Sequence, residues 1–257
     1  MTYHPFLPLN ERRLSQARLR LFCLPHGGGG ASAYRGWQAV FGPSTEVLPV
    51  QLPGREGLLE EPLVKDAAVL AERVAKELNE EFRQPFALFG HSMGALLAAE
   101  VAAWLQRTGG PLPEFVVVSG HGGDRKEPKP DAARYVREAS EGDIVKLLRE
   151  FGGTAPELLG DEEVRELIVE TFRNDMELCA AYRPTFDRLD VPLLALGGEA
   201  DPTVPEERIA EWRQRTRSEC RVSVLPGGHF FPYENVPLVA ETIAEWWSGQ
   251  KAASAVV

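Results

Sequence analysis

The chain has 257 residues, a formal net charge of −10, a 44% hydrophobic fraction and a 26% charged fraction. That describes one globular α/β-sized domain with room for an insertion and a sizeable core. No long basic run offsets the negative charge, which argues against general nucleic-acid binding. No apolar stretch approaches the ~20 residues needed to cross a bilayer. The first residues lack the apolar segment of a secretory signal, so a cytoplasmic location is expected, and a monomer is the expected state. The three cysteines, Cys23, Cys179 and Cys220, have no motif spacing and are read as packing residues.

In chain order, strand-like and helix-like segments alternate, as in a parallel sheet covered on both faces. Leu19–Pro25 is a buried strand running into the glycines Gly27–Gly30, with a short helix over Ala33–Phe41. Glu46–Leu52 is a second strand ending at Pro53-Gly54-Arg55. Asp66 is a plausible N-cap for a helix from Ala67 to Phe82, whose apolar residues recur every three or four positions. Phe86–Phe89 is a strand, Met93–Leu105 a helix apolar on most sides, and Phe115–Ser119 another buried strand.

From about 124 to 189 the pattern is helical, with segments near 131–139, 143–151 and 162–182 and nothing that alternates like a strand. A helical block of this size, between two halves of a sheet, is most simply a lid insertion within a single domain spanning 1–257. Strands resume at Val191–Leu196 and Cys220–Leu225, separated by a helix near 205–215. Asn235 can cap a final helix in which Val236, Val239, Ala240, Ile243 and Trp247 share a face.

The most informative segment is Gly90-His91-Ser92-Met93-Gly94, a G-x-S-x-G between a buried strand and a helix. In that setting the serine sits in a sharp turn that lifts its hydroxyl out of the sheet, and a side chain at Gly90 or Gly94 would strike neighbouring backbone. Ser92 is the candidate nucleophile, and the Met93 amide can face a developing oxyanion. Such a serine needs a base. In this fold an Asp or Glu and then a His follow the serine along the chain. His229, after the last strand and a Pro226-Gly227-Gly228 turn, is the candidate base, with His121 as the rival. His4 and His26 precede the serine, and the His91 side chain should leave the turn in another direction. Asp201, at the tip of the loop after Val191–Leu196, is the candidate orienting carboxylate, with Glu199 as its competitor. Other acids in this interval fall in helical patterns or polar turns, where a solvated carboxylate is the default. The Gly27–Gly30 run lacks either phosphate-binding glycine pattern, so it is read as the source of a second oxyanion amide, Gly27 first and Gly28 second. Neither a metal nor a cofactor is called for.

Taken together these segments resemble the type II (external, editing) thioesterases of polyketide and nonribosomal peptide biosynthesis, members of the α/β-hydrolase superfamily. The resemblance rests on Leu24-Pro25-His26-Gly27-Gly28-Gly29, Gln51-Leu52-Pro53-Gly54-Arg55-Glu56, Gly90-His91-Ser92-Met93-Gly94-Ala95, Gly197-Gly198-Glu199-Ala200-Asp201 and Gly227-Gly228-His229-Phe230-Phe231. Gly27 departs from the alanine often found there, which leaves the second amide less firmly assigned than Ser92, Asp201 and His229. The resemblance implies an α/β-hydrolase fold, with a mostly parallel sheet, flanking helices and a helical lid. Its implied substrates are small or aberrant acyl thioesters on the phosphopantetheine arm of an acyl or peptidyl carrier protein. His26, Gly28, Phe151, Phe172, Met176 and Phe230 are then candidate substrate contacts, with Tyr182 also on the lid. Arg55, Arg125, Lys126 and Lys129 are candidates for a basic patch that meets an acidic carrier. A free-standing esterase or lipase shares the same three side chains, and a non-catalytic scaffold is the remaining alternative.

Overall fold

The computed structural model describes residues 4–9, 14, 16–123, 137–151, 154 and 157–254. Among the described residues six strands form one sheet: β1 (Leu19–Leu24), β2 (Thr45–Pro49), β3 (Phe86–His91), β4 (Val116–Ser119), β5 (Leu193–Gly198) and β6 (Cys220–Leu225). Their order is β2-β1-β3-β4-β5-β6. Every neighbouring pair is parallel, with Leu21 opposite Val47 and Ala87, and Val118 opposite Ala195. The central strands are continuous apolar runs because helices cover both faces. One face packs Phe22, Leu24, Leu88, Val116, Val118 and Leu193 against helices α2 (Ala67–Glu77) and α3 (Met93–Thr108). The other packs Leu21, Cys23, Phe89, Val117 and Leu194 against α1 (Trp37–Phe41) and the last helix, α8 (Val236–Ser254).

Asp66 caps α2 as the sequence suggests, its carboxylate accepting from the Ala68 and Val69 amides at 2.8 and 3.0 Å. The helix stops earlier than the periodicity predicts. It gives way after Glu77 to a 3₁₀ turn over Asn79–Arg83, which still delivers Phe82 to the core. The segment predicted near 205–215 likewise divides into α6 (Glu206–Ala210) and a 3₁₀ turn over Glu211–Arg215. Asn235 immediately precedes α8, where its backbone carbonyl accepts from Val239 and its side-chain amide donates to the Pro226 carbonyl.

Between β4 and β5 lie α4 (Glu141–Phe151) and α5 (Glu162–Ala181), with their own cluster of Ile144, Leu148, Leu159, Val169 and Phe172. The helix expected near 131–139 falls largely outside the described residues, as do Arg125, Lys126, Lys129 and the side chain of Phe151. A four-residue helix, α7 (Phe231–Glu234), follows β6. Among the described residues no helix is long and apolar enough to cross a membrane.

Candidate active site

The parallel sheet brings the loops after β1, β3, β5 and β6 to one edge, where ligands bind in open α/β sheets. Ser92 follows β3 directly. Its φ is 54° and its ψ −115°, a region that L-residues avoid. The two flanking glycines make this turn possible. A Cβ at Gly90 would strike the Gly94 carbonyl and lie 2.6 Å from the Ala95 nitrogen. One at Gly94 would strike the Leu24 carbonyl and stand 2.8 Å from the Pro25 oxygen. The turn is tied to β4 by the Ser92 amide, which donates to the Ser119 carbonyl at 2.8 Å. Met93 opens α3, and the first amides of a helix have no intrahelical acceptor.

Asp201 and His229 come together at the ends of β5 and β6. His229 Nδ1 lies 2.7 Å from Asp201 Oδ2. The other carboxylate oxygen accepts from the Thr203 hydroxyl at 2.6 Å and the Thr203 amide at 2.8 Å. Burial pushes the Asp201 carboxyl up, but hydrogen bonds from His229 and Thr203 outweigh it and hold the pKa below the usual value. An ionised carboxylate only accepts, so the imidazole proton sits on Nδ1 and the Nε2 lone pair is left as a base. The two loops approach backbone to backbone, since a Cβ at Gly198 would strike the Gly228 carbonyl. Glu199, the rival acid, is exposed. His121, the rival base, turns its Nδ1 to the Gly122 carbonyl at 2.7 Å.

His91 points under the turn, fully buried, with Nδ1 3.1 Å from the Ser119 hydroxyl and its ring centroid 5.0 Å from that of His229. Burial, followed by the nearby charges of His229 and His26, holds its pKa well below the ordinary value. His26 is also buried, its Nδ1 2.9 Å from the Tyr233 hydroxyl. Burial and then the His229 charge push its pKa down to about 4. The Phe230 ring packs against all three histidines, 4.9 Å from the His26 ring, 5.7 Å from the His91 ring and 5.3 Å from the His229 ring.

The two candidate amides of the glycine loop differ in their partners. Gly28, at φ 78°, donates its N–H to Asp175 at 2.7 Å, so that amide is spent. Gly27 donates to no group among the described residues. A Cβ at Gly27 would run into the Met176 methyl, so glycine here accommodates a methionine from α5. Phe172 closes over Gly28, its Cδ2 3.1 Å from where a Cβ would stand. Beside this loop is a cavity of about 340 Å³, lined by His26, Gly28–Gly30, Arg55, Glu56 and, from α5, Val164, Leu167, Ile168 and Thr171.

Two expectations are corrected here. Arg55 is not a surface group: it is 6% exposed and makes a bidentate pair with Asp175 at 2.6 and 2.9 Å. Asp175 is fully buried, although an acid in a helix was expected to be solvated. Its position was the available signal, because it falls on the apolar stripe with Phe172, Met176 and Leu178. Thr203 and Tyr233 carried no comparable signal.

Residues 19–247 match the thioesterase domain family. The chain belongs to that family. The thioesterase is 37% identical, over 92% of its length and 64% of the relative's, to a probable cadicidin biosynthesis thioesterase from Streptomyces griseus. It is 35% identical to the gramicidin S biosynthesis protein GrsT of Aneurinibacillus migulanus, covering 88% of both chains. The solved type II thioesterase BorB of the borrelidin biosynthetic cluster superposes on it with a TM-score of 0.77 at 33% identity, covering 92% of the thioesterase and 96% of BorB. The α/β-hydrolase architecture expected from the sequence agrees with these relatives.

Proposed function

We propose that this thioesterase hydrolyses acyl groups, small or aberrant ones, from the phosphopantetheine arm of acyl or peptidyl carrier proteins in polyketide or nonribosomal peptide synthesis. It would act as a monomer in the cytoplasm. Ser92, His229 and Asp201 carry the reaction in this reading. The Ser92 oxygen attacks the thioester carbonyl carbon while its proton passes to His229 Nε2. The tetrahedral oxyanion is held by the Met93 and Gly27 amides. The C–S bond breaks, the thiol leaves with the proton from His229, and an acyl-serine remains. Water then gives a proton to His229 and attacks the acyl carbon, and the C–O bond to Ser92 breaks as His229 returns that proton to the serine oxygen, releasing the acid and the free enzyme.

The observation that carries this reading is the 2.7 Å contact between His229 and the buried, ionised Asp201, at the same sheet edge as a serine in a strained turn, in a chain of the thioesterase family. Helices α4 and α5 are assigned as a lid over the glycine loop, within the insertion expected at about 124–189. His26, Gly28, Phe172, Met176 and Phe230 are assigned to the substrate channel, Phe172 and Met176 acting through the loop they press on. The test compares an acyl-phosphopantetheinyl carrier with the matched free thioester and oxygen ester. Faster cleavage of the carrier-bound thioester is expected. Preference for the oxygen ester, with indifference to the carrier, would support a free-standing esterase instead.

A further inference from the structure

A buried charge pair beside the site takes no part in the chemistry above. Asp175 on α5 accepts from both terminal nitrogens of Arg55, from the Gly28 amide at 2.7 Å and from Asn174 Nδ2 at 3.3 Å. Arg55 in turn donates to the Gly29 carbonyl at 3.0 Å and the Pro53 carbonyl at 3.4 Å. Removing two charges from water is costly, and an apolar pair of similar size often serves stability as well or better. What such a pair provides here is geometry. Asp175 fixes the peptide plane between Gly27 and Gly28. Arg55 holds the Gly29 carbonyl, and the His26 carbonyl accepts from the Gly29 amide at 3.0 Å. The four peptide planes from His26–Gly27 to Gly29–Gly30 are therefore each held by a hydrogen bond, and the Gly27 N–H, which lies in the first of them, donates to no group among the described residues. The pinning group rides on α5, whose Phe172 and Met176 press on the same two glycines.

We propose that Asp175 is a positioning residue that sets the oxyanion loop through the Gly28 amide and Arg55. It thereby makes a working oxyanion hole conditional on α5 being seated over the loop. This rests on the reading of Ser92 as nucleophile and Gly27 as oxyanion donor. Loss of the carboxylate in Asp175→Ala should lower kcat by about 100-fold, the scale of an ångström of misplacement, with KM little changed. Affinity for an acyl-mimicking boronic acid, whose serine adduct puts an oxygen in the oxyanion position, should fall in parallel with kcat/KM. Affinity for a non-cleavable amide analogue of the acyl-pantetheine should hold. Asp175→Asn, which keeps the shape and an acceptor for the Gly28 amide, should recover part of the loss, about tenfold below the parent. It decides the matter if the alanine variant does not fold.

A folded Asp175→Asn with parental kcat and boronate affinity would overturn the proposal, as would an equal loss of affinity for boronate and amide analogue. Ser92→Ala is run alongside. Retained turnover there would defeat the reading of the site itself. An inactive Ser92→Ala with an unaffected Asp175→Asn would defeat the positioning role alone.

Discussion

Ser92 holds a backbone conformation that costs of the order of 1–3 kcal/mol for a non-glycine residue. Gly90 and Gly94 explain how the turn can close but do not relieve that strain, since the serine itself carries it. Glycine tolerates positive φ, so Ser92→Gly should raise stability by about 1 kcal/mol, a rise in Tm of roughly 2–4 °C for a chain of this size, while removing turnover. Ser92→Ala should remove turnover without that gain, because alanine keeps the Cβ. Thermal melts of the two variants beside the parent check this. An equal Tm for the glycine variant and the parent would mean that the turn is not strained. The same contrast separates a serine held for chemistry from one held for packing, since a packing serine would not leave the fold more stable when lost.

Elements were legible in the sequence to the extent that their signals were local. The α2 periodicity and the Asp66 cap needed only neighbouring residues, and the β6 run Cys220–Leu225 has the bounds its pattern suggests. The break after Glu77 was not legible. Phe82 continues the apolar spacing and is buried, but a 3₁₀ turn rather than an α-helix delivers it. At the site, the turn around Ser92 and the meeting of the loops bearing Asp201 and His229 follow from strand ends and glycine placement. The Arg55–Asp175 pair joins residues 120 apart in sequence, and nothing in either segment alone requires the other. That is why a buried Arg55 read as a surface cation. The local cap offers a clean measurement. Asp66→Ala leaves the Ala68 and Val69 amides without their acceptor, and should cost about 1 kcal/mol in urea unfolding without altering kcat. An unchanged unfolding midpoint would mean that water replaces the cap at no cost.

Across the whole molecule, the rings packed around His229 couple folding to pH. His26 titrates near 4 in the fold and His91 is held well below its ordinary value, whereas an unfolded histidine protonates near 6.5. Between pH 6.5 and about 4 the unfolded chain therefore binds more protons than the folded one at both positions. Stability must fall as the pH drops through this window, by about 1.4 kcal/mol per pH unit for each such histidine. The part due to His26 is fully present above pH 6.5 and amounts to about 3 kcal/mol at its shift. The carboxyl of Asp201 is depressed, so its contribution is lost at still lower pH, below the usual carboxylate value, and does not mask the histidines. The charges that face His26 act in both directions: His229 and Arg55 lower its pKa and Asp175 raises it, all less than burial does. His26→Gln keeps a polar group near the Tyr233 hydroxyl and removes one titration. Urea unfolding from pH 7 to 4.5 should then show a pH slope lower by close to one proton than that of the parent, whatever constant offset the substitution brings. An unchanged slope would mean that His26 titrates alike in the folded and the unfolded chain, and that burial does not hold it neutral beside the imidazole that must accept the Ser92 proton.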